Sequence, residues 1–259
     1  MKNRVQKQWN FIWCQLKFIA VVSWIVVTVA GCGSNPLETT EERFIQQPGV
    51  HRQLLAPSNM RYTIGVPPGY TGNEPVPLIL ALHYGGEVTP FYGGDYLNIL
   101  VGPALQDLGA IMIAPDAGAG GGWTSAQAET SVIQLLDAVE ANYNIDPKKR
   151  LVTGFSMGGR GTWHIASRHQ DRFTAAIPMA ARPDSAMLDV EWRIPLLVIH
   201  SLADEVVAFG PVQAMILALI EKDIDVNMII VSELTHFQTQ GFVAPLEAAV
   251  EWLQGVWAE

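Results

Sequence analysis

A chain of 259 residues with 16 basic and 25 acidic side chains has room for one full α/β core, and its net charge of −9 repels polyanions and excludes a nucleic-acid partner. Its two cysteines are Cys14 and Cys32. They leave no disulfide in the body of the chain and no Cys/His cluster of zinc-ligand spacing, so neither a metal nor an organic cofactor is expected.

Residues 1–31 carry Lys2, Arg4, Lys7 and Lys17 without an acid, then an apolar run from Phe18 to Ala30, then Val29-Ala30-Gly31-Cys32. A basic start, a short apolar stretch and small residues describe an export signal. The cysteine after Ala-Gly resembles a bacterial lipobox, which implies cleavage before Cys32, lipidation of Cys32 and attachment to a cell-envelope membrane. An uncleaved anchor would need the apolar run to extend back to Phe11 across Gln15 and Lys17. Cleavage would leave 12 basic against 25 acidic side chains, a net charge near −13, so an anionic membrane would hold the protein only through its lipid. Residues 32–58 are polar, contain Pro36, Pro48 and Pro57, and read as a flexible tether with order beginning near Val50; residues 59–259 read as one folded domain.

Within that domain, Met60 to Val66 alternates as a strand and stops at Pro67-Pro68-Gly69, a turn signal. Leu78 to Leu82 is continuously apolar, as a strand covered on both faces should be, and runs into His83-Tyr84-Gly85-Gly86. Leu97 to Leu108 has helical spacing, Ala110 to Pro115 reads as a second buried strand, and the glycine-rich run from Asp116 to Trp123 follows. That run fails as a dinucleotide fingerprint because Trp123 falls where the last glycine belongs, and it lacks a Gly-Lys-Ser/Thr; it reads as a mobile loop at a strand end. Thr124 to Asn142 is predicted as a helix with Thr124 and Gln127 as a capping box. Further strands are expected over Arg150 to Thr153, Ala175 to Met179, Leu196 to His200 and Val226 to Val231, with helices over Gly210 to Lys222 and Val243 to Val256. Alternating strands and helices imply a mainly parallel central sheet with helices on both faces, and Ala180 to Pro195 is too short for a large cap domain.

Val152 to Gly159 reads Val-Thr-Gly-Phe-Ser-Met-Gly-Gly and continues into a helix-compatible run. A strand that reverses into a helix at Ser156 presents that hydroxyl in a strained turn, and the flanking glycines let the backbones approach. A hydroxyl needs a base to accept its proton, and the imidazole needs a carboxylate to fix its tautomer. If the chain order is Ser, acid, His, then His236 fits, after the strand 226–231; His164 and His169 lead away along the elbow helix, and His200 leaves no strand between acid and base. Asp204, four residues past a strand, is the candidate acid, with Glu205 its nearest rival. His83 reads as a loop-positioning residue.

These residues resemble the α/β-hydrolase superfamily: Gly154-Phe155-Ser156-Met157-Gly158-Gly159 with Gly161-Thr162-Trp163, Ile199 to Val207, and Thr235-His236. Within it the chain is most similar to bacterial esterases of the dienelactone-hydrolase, feruloyl-esterase and prolyl-oligopeptidase-like groups, over roughly Met60 to Trp257. The resemblance implies a serine hydrolase acting on carboxylic esters, with an oxyanion hole from the Met157 N–H and from Tyr84, through its backbone or its phenol. His83-Tyr84-Gly85-Gly86 departs from the His-Gly-Gly-Gly of related enzymes. Trp123 and Trp192 either line a substrate pocket or pack in the core, and Arg160 either meets a substrate carboxylate or is solvated. A serine peptidase, suggested by the Tyr-Gly-Gly loop, and a non-catalytic surface binding protein of the same fold are the alternatives. The sequence leaves the oligomeric state open.

Overall fold

The computed structural model describes residues 47–118 and 122–258. The expected signal segment, Cys32, most of the tether and residues 119–121 of the glycine-rich loop lie outside the described residues.

Eight strands form one sheet in the order β1-β2-β4-β3-β5-β6-β7-β8. They are β1 (Gly49–Leu55), β2 (Met60–Val66), β3 (Val76–Leu82), β4 (Ile111–Pro115), β5 (Ile145–Phe155), β6 (Ala175–Met179), β7 (Leu196–Ser201) and β8 (Val226–Val231). The pairs β1/β2 and β2/β4 are antiparallel, and every pairing from β4 through β3 to β8 is parallel. Strand β1 lies inside the stretch expected to be a tether. It pairs along its whole length with β2 and buries Leu55, which its exposed, polar alternation does not announce.

The continuous apolar runs work as the sequence predicts, because a strand with period 2 serves both sheet faces. In β3, Leu78, Leu80 and Leu82 join the core that includes Val132, Leu135, Leu136 and Val139 of α3 (Ala126–Asn142) and Ile165 of α4 (Met157–Arg168). Ile79 and Ala81 face the other core, with Leu97, Leu100 and Leu105 from the helical segment 92–108 and Leu246 and Leu253 from the closing helices. The predicted helix over 97–108 therefore begins earlier, at Tyr92 in α1 (Tyr92–Tyr96), passes through a wide π-type turn at Leu97–Val101, and continues into α2 (Gly102–Leu105). The closing helix is two segments, α6 (Val243–Ala248) and α7 (Val250–Val256), and α5 (Phe209–Ile220) covers the opposite face through Val212, Ile216 and Leu219.

One cap differs from expectation. The α3 N-cap is Ser125, extended at φ −83° and ψ 149°, whose hydroxyl accepts the Ala128 N–H. Thr124 belongs to the preceding 3-10 turn, Gly122–Thr124. No cap domain interrupts the described residues, and no helix among them is long and apolar enough to cross a membrane.

Candidate active site

Parallel strands deliver their following loops to one edge of the sheet, where ligands bind in open α/β sheets. Here β3 ends at Leu82 and supplies His83 and Tyr84, β5 ends at Phe155 and supplies Ser156, β7 is followed by Asp204 and β8 by His236.

Ser156 adopts φ 54° and ψ −112°, a conformation that costs an L-residue about 1–3 kcal/mol and persists only where its surroundings hold it. Its N–H donates to the Met179 carbonyl at 2.9 Å and its carbonyl accepts the Arg160 N–H at 3.0 Å, so the turn is tied to β6 on one side and to the first turn of α4 on the other. The helix starts so close to the sheet that a Cβ on Gly158 would overlap the carbonyl oxygen of Leu82.

The Ser156 hydroxyl donates to His236 Nε2 at 2.7 Å. The Nδ1–H of the same ring donates to Asp204, at 2.8 Å from Oδ2 and 3.0 Å from Oδ1; the two bonds together select the neutral Nδ1–H tautomer. Asp204 Oδ1 also accepts the N–H groups of Val206 at 3.0 Å and Val207 at 2.7 Å. These bonds hold the buried carboxylate in place beside the His236 ring. Glu205, the rival acid, does something else: its carboxylate accepts the backbone N–H of His236 at 2.9 Å. His200, wholly buried at the end of β7, donates through Nε2 to the Val207 carbonyl at 2.8 Å and so holds the turn that grips Asp204.

The loop after β3 is braced by His83. Its Nδ1–H donates to the Tyr84 carbonyl at 2.7 Å, and its Nε2 accepts the Ala117 N–H at 2.9 Å. Burial lowers the His83 pKa against the opposing pull of the Tyr84 carbonyl and Asp116, keeping it in the neutral form that this pair of bonds requires. Trp123 is 2% exposed and donates its indole N–H to the His83 carbonyl at 2.9 Å. In a trans peptide C=O and N–H point in opposite directions, so the Tyr84 N–H is turned away from Trp123. Gly85 runs beside Met157, with an added Cβ only 3.8 Å from the Met157 Cβ. The Tyr84 ring is packed edge-on against Tyr92, Tyr96 and Phe155, at centroid distances of 5.5, 5.9 and 6.4 Å. Asp116 binds the neighbouring turn: it accepts from Phe91 N–H at 2.7 Å, Gly93 N–H at 3.0 Å and Arg61 at 2.9 Å.

Of the two alternatives left open for the tryptophans, Trp123 takes the second: it is buried and braces the loop from within the core. Trp192 is remote: its indole N–H donates to the Met187 carbonyl at 3.1 Å, and with Lys148, Thr174, Pro195 and Asp225 it lines a cleft of about 1180 Å³ at the ends where β6, β7 and β8 begin. That cleft lies at the sheet edge opposite Ser156. Missed by the sequence reading were the roles of Glu205, His200 and Asp116, whose partners come from loops or lie up to 55 positions away. No group of His, Cys, Asp and Glu among the described residues could hold a metal ion.

Comparison with known proteins agrees with the fold. Residues 110–234 match the family described as "Putative esterase". The chain is 29% identical over 203 residues to a "Probable feruloyl esterase C" of Aspergillus niger, covering 77% of this chain and 70% of the relative. It is 30% identical to the protein of the same name from Aspergillus flavus, over 70% of this chain and 63% of the relative. A solved "Thermostable Esterase" superposes with a TM-score of 0.67 at 22% identity, covering 80% of this chain and 62% of that one. The chain thus spans roughly two thirds of these relatives' length. With its sheet order, its strained serine turn and these likenesses, the chain has the α/β-hydrolase fold and is similar to esterases.

Proposed function

We propose that this protein is a serine esterase working through an acyl-enzyme, with Ser156, His236 and Asp204 as its catalytic triad. The observation that carries the reading is the His236 ring, hydrogen-bonded to the Ser156 hydroxyl through one nitrogen and to the Asp204 carboxylate through the other. Ser156 Oγ attacks the ester carbonyl carbon while His236 Nε2 takes its proton, and Asp204 stabilises the resulting imidazolium. The tetrahedral oxyanion is held by the N–H of Met157, the first residue of α4, and by the N–H of Tyr84; a helix N-terminus adds favourable partial charge there. Collapse expels the alcohol, which receives the proton from His236. Water then repeats the sequence on the acyl-Ser156 ester, releasing the acid.

Apolar side chains flank the site: Leu202, Val206 and Phe237 are 52%, 54% and 77% exposed and stand beside Asp204 and His236 in sequence. They suit the hydrocarbon or aromatic part of an ester, and the names of the Aspergillus relatives make feruloyl esters the first natural candidates. The test is hydrolysis of p-nitrophenyl esters of graded chain length and of methyl ferulate, by wild type and Ser156→Ala, with fluorophosphonate labelling in parallel. Wild-type turnover and labelling that both vanish in the mutant are expected. Equal background in the two proteins would remove the esterase reading and leave a binding role.

Export and anchoring through a lipid on Cys32 complete the proposal, resting on the basic, apolar and small-residue order of residues 1–32. Labelling of cells with a clickable fatty acid should mark the wild type and spare Cys32→Ala; equal labelling of both would refute the anchor.

A further inference from the structure

A second cleft, of about 520 Å³, opens beside the candidate nucleophile. It is lined by Arg160 and Arg182 together with Pro183, Val206, Val207 and Pro211 among others. Its walls are the site's own supports. Arg160 closes the first turn of α4 onto the Ser156 carbonyl, one helical turn or about 5.4 Å along the axis from the nucleophile. Val206 and Val207 are the residues whose N–H groups hold Asp204. Arg182 comes from the loop after β6, the strand between those that deliver Ser156 and Asp204. An ester seated on Ser156 therefore has this cleft as its neighbour.

The charge of the cleft runs against that of the molecule. Eleven Lys and Arg side chains fall among the described residues, and Arg61, Lys149, Arg150, Arg168, Arg172 and Lys222 are each within salt-bridge distance of a carboxylate. Arg160 and Arg182, like Arg52, Lys148 and Arg193, have no such partner among the described residues, and of these five only Arg160 and Arg182 share a cleft beside the Ser156 turn. The one acid on the cleft, Asp184, spends its Oδ1 on the Ala186 N–H at 3.0 Å. Two exposed arginines left unpaired in an acidic protein, lining one cleft whose other walls are apolar apart from Asp184, suit a carboxylate at the end of a short hydrocarbon arm. Guanidinium forks match carboxylate geometry, and a charge-assisted bond of this kind contributes about 1.5–3 kcal/mol, a factor of roughly ten to a hundred.

Building on the serine-esterase reading, we infer that the preferred substrates are esters carrying a free carboxylate, which Arg160 and Arg182 bind while Ser156 attacks the ester. Two matched pairs locate that carboxylate. Mono-p-nitrophenyl adipate against p-nitrophenyl heptanoate places it on the acyl side; 4-acetoxybenzoate against 4-acetoxybenzamide places it on the alcohol side. In at least one pair the wild type should favour the anionic member in kcat/KM, and the preference should shrink at roughly 0.5 M salt as screening grows. In Arg160→Gln and Arg182→Gln, each checked for an unchanged melting temperature, the anionic-to-neutral ratio for that pair should fall about tenfold or more. A ratio that is the same in wild type and both variants for both pairs would overturn the carboxylate receptor while leaving the esterase intact. Absence of turnover on every ester by the wild type would instead strike the serine-esterase reading, and the receptor with it.

Discussion

Among single residues, Tyr84 separates two ways of building an oxyanion hole. Its phenol belongs to an aromatic cluster: the hydroxyl lies beside that of Tyr92, whose pKa is raised first by burial and then by Tyr84. Its backbone, in contrast, is fixed by His83 and Trp123 so that the N–H turns away from the core. Tyr84→Phe should therefore change kcat by less than about threefold, since it removes no donor from the oxyanion; a loss of about 100-fold or more, measured on a good p-nitrophenyl ester, would assign the phenol as donor. Such residues show why identity and position alone under-determine a role. Glu205 sits next to Asp204 in sequence and has the same functional group, yet one holds the His236 backbone and the other its ring.

At the level of elements, the decisive contact is the start of α4 against the end of β3. Gly158 allows it: an added Cβ would collide with the Leu82 carbonyl and lie 2.8 Å from the His83 carbonyl oxygen. Both are backbone atoms of the central sheet and its first loop, and neither has room to retreat. Gly158→Ala should cost at least about 2 kcal/mol in urea unfolding, by overpacking. Gly255 is the control. It lies in α7 with nothing within 4 Å of an added Cβ, so Gly255→Ala should be neutral or stabilise by up to about 1 kcal/mol through helix propensity. Similar losses at both positions would remove the close-approach explanation.

For the molecule as a whole, acid is the weak side. His83 and His200 are both buried with pKa values lowered, chiefly by burial, whereas in the unfolded chain each protonates near the ordinary histidine value of 6.5. Their neutral burial is without cost above pH 6.5; as pH falls below it the unfolded state gains protons that the folded state refuses, and stability declines. Glu129 adds a second stage. Burial alone would raise its pKa, but bonds from Arg168, His169 and His164 outweigh that and bring it from 4.5 to about 2. The carboxylate ties α3 to α4 through those three partners, a contribution present above pH 4.5 and lost as pH falls toward 2. Melting temperature should therefore decline first below pH 6.5 and again below 4.5, with Glu129→Gln lacking the second decline. A flat profile from pH 8 to about 5.5 would be incompatible with two neutral buried histidines.

Much of this protein was legible before any coordinate. The runs Leu78 to Leu82 and Ala175 to Met179 declare strands buried on both faces, because burial selects apolar residues at every position. Gly154-Phe155-Ser156-Met157-Gly158 declares a strand-to-helix reversal through its context, an apolar strand before it and a helix-compatible run after it. Asp204 and His236 followed from strand order, since parallel topology sends successive loops to one edge. Strand β1 was not legible, because its pairing with β2 depends on a neighbour and not on its own mostly exposed side chains. The fates of Trp123 and Trp192, the use of Ser125 as a cap, the division of labour between Asp204 and Glu205, and the placing of Arg160 and Arg182 on one cleft were decided only by the tertiary structure. Each rests on the path of a loop, and a loop's path is set by hydrogen bonds to distant residues that no local pattern encodes.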